Sequence, residues 1–250
     1  MHFEILTAVP EVVEGYLAGS ILGRAREAGT VSFGVTPIYQ FGEGKHRSID
    51  DAPYGGGSGM VMKAGPVVAA IEHSRSAAPP GERLLVLLTH PGGRLLDREM
   101  AHDLAGGYDR VVLVCGRYEG VDARVEAYVD GLVSLGDFVL TGGELVALAV
   151  VDSVARLLPG VLGNDASSEE ESFEGPLLEY PQYTRPRSFE GSEVPDVLLS
   201  GDHARIDRWR LQEAVSRTLR LRPSRVKNRA ALPAAIKECL EVLDGDPKEE

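Results

Sequence analysis

Three short loops carry most of the residues that could do chemistry in this chain: THPGGR (89–94), GRYEG (116–120) and LGDFVLTGGE (135–144). Each follows a strand-like apolar run. Their glycines let backbone amides and carbonyls approach a ligand closely, and few side chains beside them can make or break bonds. The charged groups on offer are carboxylates, Glu119, Asp137 and Glu144, while Tyr118 and Phe138 supply flat apolar contact. A neutral or cationic ligand suits such loops better than a triphosphate. Rival chemistries lack their residues. A P-loop ending at Gly44-Lys45 would need a glycine where Tyr39 stands. YGGGSGM (54–60) is neither a dinucleotide fingerprint nor a nucleophile elbow around Ser58, and it reads as a bendable turn flanked by charged groups. The histidines show no metal spacing and no Ser/His/Asp triad can be nominated, so no metal ligand is assigned from spacing.

The elements that must position these loops follow from periodicity. Strand-like runs at residues 3–9, 31–39, 83–88, 110–115 and 131–135 alternate with helical patterns at 10–18, 20–28, 65–75, 97–105 and 143–158. That alternation predicts an α/β layer with a mostly parallel sheet. The three glycine loops then leave carboxyl ends of strands, where open α/β sheets bind ligands, and can line one pocket. After Gly163 the chain turns polar and acidic (NDASSEEESFEGP), which predicts a linker over 163–174 between a first domain, 1–162, and a second, 175–250. The second holds helical patterns at 203–221 and 232–243 and reads as small and mainly helical.

Composition narrows the class. The 250 residues, 43% hydrophobic and 26% charged, suit a soluble globular protein. The opening residues lack a basic leader with an apolar core, and no apolar run is long enough to span a bilayer. Cys115 and Cys239 have no paired spacing and are expected as free thiols in a cytoplasmic protein. A net charge of −12 argues against indiscriminate nucleic-acid binding. It conceals a reversal, however: residues 201–230 carry nine Lys or Arg against three acids, a surface suited to phosphates.

The segments DDAPYGGGSGMVMK, VCGRYEGVDARV, SLGDFVLTGGELVAL, DSVARLLPGVLGN, YTRP and LLSGDHARIDRWR, in this order, resemble the bacterial tRNA (guanine-N1)-methyltransferases of the TrmD family, SPOUT class, over residues 1 to about 222. The resemblance implies a homodimer whose α/β domain is tied in a deep trefoil knot. It implies S-adenosyl-methionine as methyl donor and, as substrate, N1 of guanosine 37 of tRNA after a preceding guanosine. It carries the cofactor pocket onto Leu88, His90, Pro91, Gly116, Tyr118, Glu119, Gly120, Leu135, Gly136, Asp137, Phe138, Val139, Leu140, Gly142 and Gly143. The catalytic pair would be Glu171 as general base and Arg156, which steadies that base or the guanine O6. Gly57, Gly59, Arg185, Ser200, Gly201, His203, Arg205, Arg208 and Arg210 would meet the RNA, with Lys45 and Arg47 facing the same RNA across the dimer. A magnesium requirement with Glu119 as participant is also implied.

Two departures from the family pattern stand out. The first loop reads His90-Pro91-Gly92-Gly93 where Ser-Pro-Gln-Gly is usual, and Glu171 replaces the usual aspartate before Ser172-Phe173. The added methylene matters because a shift of about 1 Å at a catalytic group can cost roughly 100-fold. Two rival functions therefore stand beside the main one: methylation at another base, and a binding module that has lost its chemistry with the aspartate.

Overall fold

The computed structural model describes residues 1–162, 172–173 and 175–245. The chain divides into two compact units, Met1–Asp165 and Ala166–Glu250. The first unit runs β1 (His2–Thr7), α1 (Pro10–Leu17), α2 (Ser20–Glu27), β2 (Ser32–Pro37), the two-residue strands β3 (Asp50–Asp51) and β4 (Val61–Met62), and α3 (Ala64–Ser76). It continues with β5 (Leu84–Leu95), α4 (Arg98–Gly107), β6 (Arg110–Val114), β7 (Gly131–Ser134) and α5 (Glu144–Ala155). Five strands form one sheet in the order β2-β1-β6-β5-β7, and every pairing is parallel.

A sheet covered on both faces explains why its strands read as continuous apolar runs instead of alternating with polar residues. In and just after β6, Val111, Leu113 and Cys115 point into a core shared with α1, α2, α4 and α5, whereas Val112 and Val114 point toward α3. The helices begin where the chain supplies start signals. Pro10 occupies the first turn of α1, where its missing N–H is no loss. Asp97 caps α4 by accepting the Met100 amide at 2.8 Å. The α/β layer expected from periodicity is thus the layer observed, with helices near each predicted place.

One feature escaped periodicity. β5 runs past its apolar stretch, and both Thr89 and Arg94 register with Val133 of β7, so residues 90–93 loop out as a wide bulge. Gly93 permits this: a Cβ there would lie 2.4 Å from the Val133 amide nitrogen. The pairing of Arg94 and Leu95 with β7 is a tertiary contact that no local pattern encodes.

The second unit contains a short hairpin, β8 (Ser188–Phe189) and β9 (Ser192–Glu193), followed by α6 (Asp196–Leu199), α7 (His203–Leu221) and α8 (Ala234–Gly245). Its core is Val215, Val226, Leu232, Ile236 and Leu240, with Leu177 packed against it. Thr218 ties the incoming chain to α7, since its hydroxyl accepts from the Leu178 amide at 2.8 Å and donates to the Ala214 carbonyl at 2.7 Å. Among the described residues no helix is long and apolar enough to cross a membrane. Both cysteines carry free thiols, Cys115 buried and Cys239 partly so.

Candidate functional site

The chain leaves β6 and β7 on opposite flanks of β5, and the three loops that follow these strands meet at their carboxyl ends. Contacts between the loops are direct. The Thr89 hydroxyl, just before the bulge, accepts the Gly116 amide at 3.1 Å and donates to the Val114 carbonyl at 3.1 Å. The Gly143 amide in turn donates to the Gly116 carbonyl at 2.8 Å. A side chain at Gly143 would place Cβ 1.8 Å from Thr89 Oγ1 and 3.0 Å from the Gly116 nitrogen, so glycine alone lets the third loop close on the other two.

The loops enclose a cavity of about 210 Å³. Its walls include Val133, Leu135, Phe138, Leu140 and Val146, and its rim includes His90, Pro91 and the loop from Gly116 to Val121. All the cofactor residues that the family resemblance nominates border this cavity except Leu88, which is buried in the α3-side core beneath it, and Asp137. Two of the bordering aromatics keep much of their surface uncovered: Tyr118 is 52% and Phe138 54% exposed. Tyr118 also holds a left-handed backbone, φ 60°, and its phenol is pushed above its ordinary pKa by burial, reinforced by the charge of Asp50. His90, in place of the usual serine, shapes its own loop: its Nδ1 accepts the Gly92 amide at 3.0 Å.

Carboxylates are not the only charges beside these glycines. Arg117 lines the cavity, and its Nε donates to Glu144 Oε1 at 3.1 Å. The same Glu144 oxygen accepts the Thr7 hydroxyl at 2.7 Å, and Glu144 is only 2% exposed. Glu144 therefore lies behind the cavity wall, where it is spent on Arg117. Thr89, Arg117, Ser134 and Thr141 also line the cavity although no motif reasoning singled them out. Arg117 is legible as the second residue of GRYEG and Glu144 as the last of LGDFVLTGGE, but their pairing across 27 residues is not.

The glycine turn before β4 adjoins the same wall. The Glu119 amide donates to the Met60 carbonyl, the Met62 amide to the Gly120 carbonyl and the Asp122 amide to the Met62 carbonyl, each at 2.9 Å. Gly57 and Gly59 take left-handed conformations in that turn, at φ 135° and 84°, and Gly59 packs against the Glu119 side chain. A broader groove of about 1290 Å³ adjoins the site at Val121, but its Lys63 is shared between Glu43 at 3.3 Å and Asp51 at 3.6 Å. Among the described residues no group of three or more His, Cys, Asp or Glu side chains could hold a metal ion.

Arg156 closes α5, where its amide donates to the Asp152 carbonyl at 3.3 Å. Glu171 lies outside the described residues, as do its neighbours Glu169 and Glu170. In the second unit, Ser200, Gly201 and His203 lead into α7, and Asp202 caps that helix by accepting the Arg205 amide at 3.1 Å. Arg185 and Arg208 are exposed, and Arg210 lies 4.9 Å over the Tyr180 ring. Arginine over aromatic surface, with Tyr183 and Trp209 6.2 Å apart, is the kind of face that RNA backbones and bases meet.

The arrangement fits a flat ring with a positive charge better than an anion. The cavity wall is apolar and backbone-built, its one arginine is neutralised, and Glu119 adds a carboxylate at the rim. Comparison with known proteins identifies a family and close relatives. The family model described as tRNA (Guanine-1)-methyltransferase TrmD matches residues 1–228. A protein of Anaeromyxobacter sp. (strain Fw109-5) is 60% identical over 225 residues, 89% of each chain. One from Myxococcus xanthus is 58% identical over 220 residues, 88% of each chain. One from Geobacter sulfurreducens is 49% identical over 250 residues, 99% of this chain and all of the relative. All three relatives are named tRNA (guanine-N(1)-)-methyltransferase.

Proposed function

The chain belongs to the TrmD family of tRNA (guanine-1)-methyltransferases, and from that membership we propose that it methylates N1 of guanosine 37 of tRNA, with the three-loop cavity as its S-adenosyl-methionine site. The observation that carries the reading is the junction of Thr89, Gly116 and Gly143, which draws three loops into one cradle of apolar and main-chain groups. Bound there, S-adenosyl-methionine supplies a methyl carbon activated by a sulfonium. The residues of the chain do the rest. Phe138, Leu140 and Val146 take the apolar surface of the ligand, and the loop backbones read its polar edges.

Guanine N1 carries a proton, so its lone pair attacks only if a base takes that proton as the N–C bond forms. Glu171 is the proposed base, and the proton ends on its carboxylate. General-base help of this kind contributes about 10² to 10⁴ in rate. Arg156 is the proposed partner for the negative charge that develops toward O6 as N1 loses its proton. The basic face of the second unit, with Arg205, Arg208 and Arg210, is proposed to hold the RNA, as is the Gly57–Gly59 turn of the first. A cytoplasmic homodimer with a trefoil-knotted first domain completes the proposal. Exposed Val12 and Tyr16 on α1 and Leu145 on α5 supply apolar surface suited to a second copy. Magnesium is usually held by one or two carboxylates with water and substrate oxygens, and Glu119 at the rim of the cavity is the carboxylate proposed to take part if the ion is required.

The test is a transfer assay with tritiated donor and an unmodified tRNA transcript carrying guanosine at positions 36 and 37. Label is expected at N1 of residue 37, and label on another atom or nucleotide overturns the assignment. Glu171→Gln is expected to lower the single-turnover rate by about 10² or more while leaving donor binding intact. An unchanged rate removes Glu171 as the base.

A further inference from the structure

The Arg117–Glu144 pair is the one place where a cationic side chain of the described residues borders the cavity as lysine or arginine, and the chain has built an elaborate answer to it. Glu144 sits at the first position of α5, 2% exposed, and one of its oxygens accepts both the Arg117 Nε and the Thr7 hydroxyl. The pair lies against the backbone of the third loop: a Cβ on Gly142 would come 2.4 Å from Glu144 Oε2 and 2.5 Å from Arg117 Nε. Arg117 and Gly142 are also joined as an isolated antiparallel bridge. The guanidinium is therefore held beside the third loop by its bond to Glu144, with its side chain 25% exposed, and its charge is met at that place.

We propose that Glu144 is a charge-balancing and positioning residue for the methyl donor, neutralising Arg117 so that a positively charged ligand can occupy a cavity bordered by a guanidinium. The inference rests on the cofactor reading above. It makes a distinction that packing alone cannot. The sulfonium donor is a cation at its reactive atom, whereas the thioether left after methyl transfer, S-adenosyl-homocysteine, lacks that charge and has nearly the same shape. Removing the negative charge of Glu144 should weaken the first ligand more than the second, and removing the positive charge of Arg117 should do the opposite.

Glu144→Gln keeps the length and the acceptor oxygen for Thr7 and Arg117 but deletes the charge, and Arg117→Gln deletes the charge of its partner. Calorimetric titration of the wild type and both variants with S-adenosyl-methionine and with S-adenosyl-homocysteine reads the ratio of the two affinities directly. In a partly wet site, loss of one unit charge several ångströms away is expected to change that ratio by roughly tenfold or more. The expected result is a fall in donor preference for Glu144→Gln and a rise for Arg117→Gln. Equal losses of both ligands in both variants, or shifts of the same sign, overturn the proposal and leave the pair a purely structural one. Thermal melts without ligand identify which variants fold; if Glu144→Gln does not, the sign of the Arg117→Gln shift decides. A wild-type protein that binds neither ligand overturns the cofactor reading itself, an outcome separate from the variant ratios.

Discussion

Gly143 is where the residue scale decides the site, because its missing side chain is what lets the third loop reach the other two. The atoms a Cβ would strike are the Thr89 hydroxyl and the Gly116 backbone, neither of which can step aside without opening the junction. Gly143→Ala is expected to lower stability by about 1 to 3 kcal/mol, the usual cost of overpacking, and to weaken donor binding at least tenfold. Thermal melts and calorimetry check both. Cys115, one residue before the second loop, gives a pH test. Burial pushes its thiol well above the ordinary range, and the nearby Glu144 adds to the shift while Arg117 opposes it. The unfolded thiol ionises above about pH 8.5, whereas the folded one stays protonated. The unfolded state then holds fewer protons than the native one, so stability falls as pH rises beyond that point, by at most about 1.4 kcal/mol per pH unit. Urea titrations at pH 8 and pH 10 should show this loss in the wild type and less of it in Cys115→Ala. In native protein at pH 8, Cys239 should react with a thiol reagent well before Cys115.

At the scale of elements, the tie between the segment entering the second unit and α7 depends on Thr218. Replacing it with valine keeps the shape but leaves the Leu178 amide without its acceptor, at an expected cost of about 1 to 3 kcal/mol. Denaturant melts of Thr218→Val read this, and a loss below about 0.5 kcal/mol would mean that water takes the threonine's place. Elements were also what the sequence told best. Continuous apolar runs such as 111–115 announced buried strands, and the helical patterns at 10–18 and 97–105 begin within a residue of α1 and α4. What the sequence withheld are pairings made across the fold. The bulge at 90–93 exists because Arg94 and Leu95 find β7, and the Arg117–Glu144 pair exists because two loops converge. Neither leaves a periodic trace, so the site's backbone frame was legible from glycine positions while its internal charge balance was not.

For the whole molecule, charge separates the two proposed tasks. The chain is acidic overall at −12, yet its basic side chains concentrate between residues 201 and 230. RNA binding through that face should be strongly salt-dependent, because each neutralised phosphate releases counterions, whereas donor binding in the apolar cavity should not. Raising salt from 50 to 200 mM is expected to weaken tRNA binding at least tenfold and donor binding less than twofold. Filter binding and calorimetry on the same preparation distinguish them, and a matching loss of both would reject the division. The Thr7–Glu144 bond spans 137 residues, from the end of the first strand to the start of α5. A growing polypeptide on the ribosome therefore cannot assemble this brace behind the cavity wall until that helix has emerged. The pocket is among the last parts of the unit to mature, and fragments ending ahead of α5 should be ligand-blind however much sheet they have already made.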